Sequence, residues 1–357
     1  MSTDAAWTSA PAASDPAGTD PATPVHRDPA GASPSGPDGR VGGWTRGILW
    51  ANLAAQVAIV VTGGLVRLTA SGLGCPTWPE CTDGNLVPVS DQPQGFHKFI
   101  EFGNRTLTGV LVVIAALALL AVTRGWWGRW VKRPGPPVRR PLVTLASLVV
   151  VGIFAQAVLG GITVLVGLNP GFVAAHLLLS MAVIAAAFLL LVRSGETGDG
   201  APVVVVRREL RILARVLVAM AVLVLVLGTV VTGSGPHSGD SSHVTRLPLD
   251  PRVVSWLHAD VVIAFVGLAV AFWLGARLTG APTRTVTRAL LLIGACVLQG
   301  AIGYTQYFTG LPVALVTLHM LGACLVWVAT LGVLVSTRTR TDTSGDGTAQ
   351  PLPSLTS

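Results

Sequence analysis

Charge is scarce in this sequence: Asp, Glu, Lys and Arg make up only 11% of its 357 residues, against 51% hydrophobic residues. That balance excludes an ordinary soluble domain, in which about a quarter of residues are charged. Cysteine is also scarce, at 4, which excludes a disulfide-dense scaffold. No glycine-rich nucleotide-binding motif is present, and the glycines inside apolar runs read as helix-packing positions. No cleavable signal peptide is expected, because the first apolar run starts only near Gly47, behind a long polar leader. The net charge of +7 does not call for nucleic acid as a partner. The basic residues gather between apolar runs, as the positive-inside rule requires of a membrane protein.

What the sequence has in quantity is long apolar segments. Eight of them, near 47–68, 98–122, 142–166, 172–192, 211–232, 253–275, 286–306 and 312–335, are each long enough to cross a bilayer core. Lipid cannot satisfy exposed backbone groups, so helices are the expected form. Arg124, Arg129, Lys132, Arg133, Arg139 and Arg140 follow span two; Arg193, Arg207, Arg208 and Arg211 follow span four. Arg277, Arg284 and Arg288 follow span six, and Arg338 and Arg340 span eight. This asymmetry puts both termini in the cytoplasm of a multi-pass cell-membrane protein, with loops 69–96 and 233–252 facing outward. Residues 1–44 and 337–357 read as disordered cytoplasmic tails, and His26 in the first is incidental.

The halves of the chain repeat. Gln156 precedes His176, and Gln299 precedes His319, by the same interval; Val-Val-Thr-Gly closes span one at 60–63 and span five at 230–233. The expected fold is all-α and integral to the membrane, with eight transmembrane helices as two pseudo-symmetric four-helix bundles, 45–195 and 196–336.

The second span opens on His-Lys-Phe-Ile-Glu-Phe-Gly-Asn-Arg, residues 97–105. On a helix, His97, Glu101 and Asn104 share one face. An ionisable residue at the mouth of a span is a functional-site candidate. For Glu101 the plain reading is an i, i+4 pair with Arg105; the functional one is an acid or base beside a bound substrate, with Arg105 and Arg67 holding its carboxylates. His176, His258 and His319 fall at similar depth in spans four, six and eight, and Asn104 takes the place in the first half that His258 holds in the second. Histidines on facing helices suit haem iron; the plain alternative is hydrogen bonding to a neighbouring helix, through Gln156 or Gln299. A zinc site would want its ligands converging on one point. Asp260 reads as a helix–helix contact, and His237 and His243 as solvated loop residues. Cys75 and Cys81 lie in the first outward loop, where an oxidising compartment and short spacing favour a disulfide over free thiols or an incomplete metal site. Trp78 and its prolines could cap the first bundle. Cys296 and Cys324 read as packing residues.

Three features together resemble the haem A synthases. They are Thr-Gly-Gly-Leu-Val-Arg-Leu-Thr-x-Ser-Gly-Leu-x-Cys-Pro-x-Trp-Pro-x-Cys at 62–81, Glu-Phe-x-Asn-Arg at 101–105, and the histidines of spans four, six and eight. The resemblance implies an oxidoreductase that converts the C8 methyl of haem O to the formyl of haem A. It implies haem b as cofactor on His258 and His319, with the substrate near His176, Glu101, His97, Asn104, Arg105 and Arg67. The family's loop cysteines match Cys75 and Cys81. Membrane lipid, a haem O synthase, a quinol or other electron partner and a second copy of the chain are the partners this chemistry would take. Two departures stand out: Asn104 replaces the family's usual histidine, and the second outward loop has no cysteine pair. The rival function is a non-enzymatic di-haem cytochrome carrying electrons between quinol and a partner, against which the asymmetric Asn104 counts. A transporter would place its polar groups at the midplane rather than near one face.

Overall fold

The computed structural model describes residues 40–130, 138–241 and 244–340. Of the tails expected to be disordered, residues 1–39 and 341–357 lie outside the described residues, as does His243; at the inner edges Gly43 and Trp44 already belong to a helix, and Arg338 and Thr339 to a short strand. Eight helices carry the fold: α1 (Gly43–Leu68), α2 (His97–Trp130), α3 (Arg140–Leu165), α4 (Pro170–Ser194), α5 (Arg208–Ser234), α6 (Pro251–Leu278), α7 (Thr283–Phe308) and α8 (Val313–Ser336). All eight are long and apolar enough to cross a membrane, so the chain is an all-α, multi-pass membrane protein. A short antiparallel pair, β1 (Val203–Val204) with β2 (Arg338–Thr339), is the only sheet among the described residues.

Local chemistry sets the helix starts. Asn169 and Asp250 are N-caps whose side chains accept from the Gly171 and Arg252 amides at 2.9 and 2.7 Å, and Pro170 and Pro251 follow them at the first turn. A proline there lacks only an N–H that would have no helical partner. The turns before α4 and α8 share a backbone: Gly167 and Leu168 are left-handed, as are Gly310 and Leu311, with φ of 58° and 60° at the two leucines. A bulky residue seldom adopts that conformation, so its recurrence at matching positions marks the repeat in the backbone itself.

Within α1–α4, each helix touches its two neighbours and the diagonals do not touch; α5–α8 pack in the same ring. The rings meet where α1 and α4 lie against α8, and α4 against α5. Lipid tails are as apolar as leucine, so this seam depends on close approach of small residues rather than on burial alone. Gly64 of α1 lies directly on the Met320 thioether of α8, where a Cβ would collide, and the Trp327 indole N–H donates to the Met181 carbonyl of α4 at 2.9 Å. Further in, Leu49, Ile184, Leu190, Leu217, Phe272 and Leu292 are fully buried.

Candidate functional site

In the first ring α2 and α4 are diagonal, and in the second α6 and α8 are. Asn104 and His258 each lie seven residues past the start of their helix (97 to 104, 251 to 258), and His176 and His319 each six (170 to 176, 313 to 319). All four therefore sit about 10 Å below the loop end at 1.5 Å per residue. Each ring thus has one diagonal pair of polar residues at a single depth, and His258 and His319 lie within electrostatic range of one another.

The histidine rings share a mode of packing. A Cβ on Gly160 would lie 3.1 Å from Cε1 of His176, one on Gly303 3.1 Å from Cε1 of His319, and one on Gly228 3.5 Å from Cε1 of His258. The Nδ1 atoms of His176, His258 and His319 are all buried without a hydrogen-bond partner. Nε2 is not sealed in any of the three. Glycine backbones thus pack against Cε1 of each ring, while Nδ1 is enclosed and Nε2 is not sealed. That arrangement fits axial ligation of a haem iron, which needs a neutral imidazole fixed from behind.

Gln156 and Gln299 do not bind the imidazoles. Their amide N–H groups donate to the main-chain carbonyls of His176 (3.0 Å) and His319 (2.8 Å), and Gln156 also donates to Ser180 Oγ at 2.6 Å. They brace the histidine-bearing helices and leave the rings free. Among the described residues no three His, Cys, Asp or Glu side chains converge as a metal site would require.

Among the described residues, the carboxylate–guanidinium pair at a loop-covered mouth belongs to the first ring. The Glu101–Arg105 pair forms, at 2.6 Å, with Glu101 only 5% exposed. Glu101 Oε2 also accepts the Cys75 amide at 2.6 Å. Arg105 differs from its expected role as a substrate-carboxylate clamp. Nε and Nη2 donate to Glu101, and Nη1 and Nη2 donate to the carbonyls of Cys75, Thr77 and Glu80. Five N–H groups are all a guanidinium has, and Glu101 and the loop carbonyls between them take them all.

That loop is a built object. Cys75 and Cys81 form a disulfide with no exposed surface. Buried Gln92 donates to the Gly74 carbonyl at 2.6 Å, and Lys98, 4% exposed, donates to the Val89 and Ser90 carbonyls. The Trp78 indole lies on Gly161 of α3, at the place a Cβ would take, one residue beyond the glycine that seats His176. The loop is therefore closed over the first ring beside its histidine. His97 is exposed at the mouth, with Nδ1 2.8 Å from Ser71 Oγ, and Asn104 Oδ1 accepts from Thr62 Oγ1 of α1 at 2.8 Å.

The long loops are also stitched together. Arg67 Nε donates to the His237 carbonyl at 2.9 Å and Nη2 to the Thr232 carbonyl at 3.2 Å, while the Gly72 amide donates to the Gly239 carbonyl at 2.8 Å. Arg67 Nη1 has no bond among the described residues. Asp260, expected at a helix–helix contact, is instead exposed on the side of α6 away from its buried face, with no polar partner among the described residues. Trp78 lies over the first bundle as expected; what sequence reading missed is its seat on Gly161, the glycines against the imidazoles, and Gly64 on Met320. Gly160 and Gly303, each 16 residues before its histidine (176 − 160, 319 − 303), were the available signal.

Fold and site together define a membrane protein of two four-helix rings, each presenting histidine toward a diagonal partner at one depth. The chain belongs to the cytochrome oxidase assembly protein family, which matches residues 46–237, more than half of its length. It is similar to the haem A synthase of Shewanella oneidensis, 24% identical over 325 residues, covering 78% of this chain and 92% of that one. Against the haem A synthase of a Methylobacterium species it is 27% identical over 322 residues, 78% of this chain and 88% of the relative. The match to the Geobacillus thermodenitrificans haem A synthase, 31% identical, spans 32% of that protein's length.

Proposed function

We propose that this protein is a haem A synthase, an oxidoreductase that converts the C8 methyl of haem O to a formyl group in the cell membrane, with both termini cytoplasmic. The observation that carries the reading is the repeated diagonal pair of polar residues at one depth, with each imidazole packed on glycine at Cε1, enclosed at Nδ1 and not sealed at Nε2. The similarity to full-length haem A synthases supports the same reading.

In this reading residues 45–195 form the substrate bundle and 196–336 the cofactor bundle. His258 and His319 hold haem b, which supplies one-electron redox chemistry. Haem O lies against His176 in the first ring, its isoprenoid tail in the lipid-facing apolar surface and its propionates toward the long-loop end. Arg67, with Nη1 unspent, is placed to bind a propionate; Arg105, fully spent, positions the loop instead. The disulfide loop and Trp78 exclude water from the reacting edge. Glu101 already accepts from Arg105 and from the Cys75 amide. Its role is then to assist oxidation at the methyl carbon, by proton transfer or by stabilising positive charge that develops on the substrate.

The test is pigment extraction from membranes of a host that lacks haem A, expressing the full chain with a supply of haem O. Haem A in the extract is expected. Glu101→Gln should retain haem while losing turnover, and full turnover in that variant would remove Glu101 from the mechanism. Protein that carries haem b yet forms no haem A when haem O is available would favour the electron-carrying cytochrome.

A further inference from the structure

The two rings differ at one position of their shared register. Where α6 presents His258, α2 presents Asn104, seven residues from the helix start in both cases. A neutral carboxamide is a shorter side chain than imidazole and a poor ligand for haem iron, which takes imidazole, thiolate, thioether or phenolate donors from proteins. The first ring therefore offers its iron one strong protein ligand, His176, where the second offers two.

Asn104 is also oriented. Thr62 Oγ1 donates to Asn104 Oδ1 at 2.8 Å, which commits the carbonyl end of the amide to α1. The Nδ2 end lies beside Gly63, 3.8 Å from where a Cβ would be, and has no acceptor among the described residues, yet it is not sealed off. Thus the face of α2 shared by His97, Glu101 and Asn104 ends, at the depth of the histidines, in an unspent N–H donor. His97 is no substitute ligand at that depth, since it sits two turns nearer the mouth and is tied to Ser71.

We propose that the first ring holds its haem through His176 alone, and that Asn104, fixed by Thr62, flanks an open coordination position as hydrogen-bond donor to a small ligand such as water or a diatomic molecule. The inference rests on the haem A synthase reading and assigns to one of its two sites an exogenous-ligand position that the other lacks. An N–H aimed at a bound ligand stabilises it as the donors of an anion-binding hole do.

The experiment uses the purified full-length protein loaded with haem in the presence of haem O, with haem content measured alongside spin state and carbon monoxide binding of the reduced form. The expected result is two haems per chain: one low-spin and inert to carbon monoxide, lost in His258→Ala; the other high-spin, binding carbon monoxide, lost in His176→Ala. Asn104→His should convert the second haem to a low-spin form that no longer takes up carbon monoxide. Asn104→Leu should keep the open position but shift the bound carbon monoxide stretch to higher frequency, through loss of the donor. Two low-spin haems, both inert, would overturn this inference while leaving the haem A synthase reading in place. An unchanged stretch in Asn104→Leu would remove the donor role. A chain that never takes haem into the first ring would overturn both this inference and the reading beneath it.

Discussion

The first and second rings share a scaffold and differ in what has been added to it. Gln156 and Gln299 brace equivalent carbonyls, and Gly160 and Gly303 seat equivalent imidazoles. At the mouth the equivalence ends: Glu101 and Arg105 of α2 correspond to Ser255 and Ala259 of α6, and Gly161 of α3 corresponds to Tyr304 of α7. The second ring has no carboxylate–guanidinium pair there, and its exposed Tyr304 stands where the first ring has a glycine cleared for the Trp78 indole. The duplicated part is what a seated imidazole needs. The unduplicated part is a cover. A site that binds once and keeps its ligand needs no cover built on a separate loop, whereas a site that exchanges substrate for product does.

That contrast can be broken most severely at Arg105. Removing the guanidinium leaves the buried Glu101 charge and the carbonyls of Cys75, Thr77 and Glu80 without their donor. Arg105→Ala should destabilise the covered mouth by about 3–5 kcal/mol, the usual cost of orphaning one partner of a buried pair. Thermal unfolding in detergent should show the loss, and protease should cut loop 69–96 sooner. Arg105→Lys should rescue little, because an ammonium has three donors where five are used. If the cover belongs to the first ring alone, any haem held by the second ring, for which His258 and His319 are the proposed ligands, persists in both variants.

A smaller effect is expected at Gly161. Gly161→Ala puts a methyl where the Trp78 indole lies, and overpacking of this kind costs about 1–3 kcal/mol. The indole is on a loop and can move, so the cost should appear as a lifted cover rather than as general unfolding. Reactivity of the Cys75–Cys81 disulfide toward a membrane-impermeant reductant should rise, and a second change, Trp78→Ala, should add little to it. Independent, additive effects would mean that the indole and the glycine do not act as a unit.

How much of this was legible in the sequence follows from the kind of signal each feature leaves. Apolar runs of bilayer length set the eight helices, and a repeat interval preserved through Gln156–His176 and Gln299–His319 set the rings. Within one helix, spacing is geometry: Glu101 and Arg105 at i, i+4 had to be neighbours, and they are. Between elements, spacing says nothing. The carbonyls that consume Arg105 come from residues 25 to 30 positions earlier in the chain, and those carbonyls leave no mark in the amino-acid letters. The main-chain carbonyls that Gln156 and Gln299 brace are invisible in the letters for the same reason, and the plain alternative of an imidazole bonded to these amides is not what forms. Asp260 went astray because a lone charge in a span suggests an inward partner, while its turn of α6 points outward.

The smallest effect tests whether the cover of the first ring is anchored on the second. Arg67, at the end of α1, donates to the His237 carbonyl in the loop between α5 and α6. Burial, and next the nearby Arg67 charge, hold the His237 imidazole below its ordinary pKa of 6.5. The unfolded chain therefore binds a proton that the folded loop resists between those two values, so stability rises with pH in that window. The loop tie should be at full strength above about pH 6.5 and weaken as acid drives His237 toward its charged form against Arg67. Amide exchange at Gly72, whose N–H bonds the Gly239 carbonyl, reports on it directly, once corrected for intrinsic exchange. Protection should fall between neutral pH and pH 5 in the native chain and stay flat in His237→Gln, which cannot titrate. If protection falls equally in both, the acid-sensitive group lies elsewhere. If it falls in neither, the loops are held by the backbone bonds alone, and the second ring serves the first as a fixed wall.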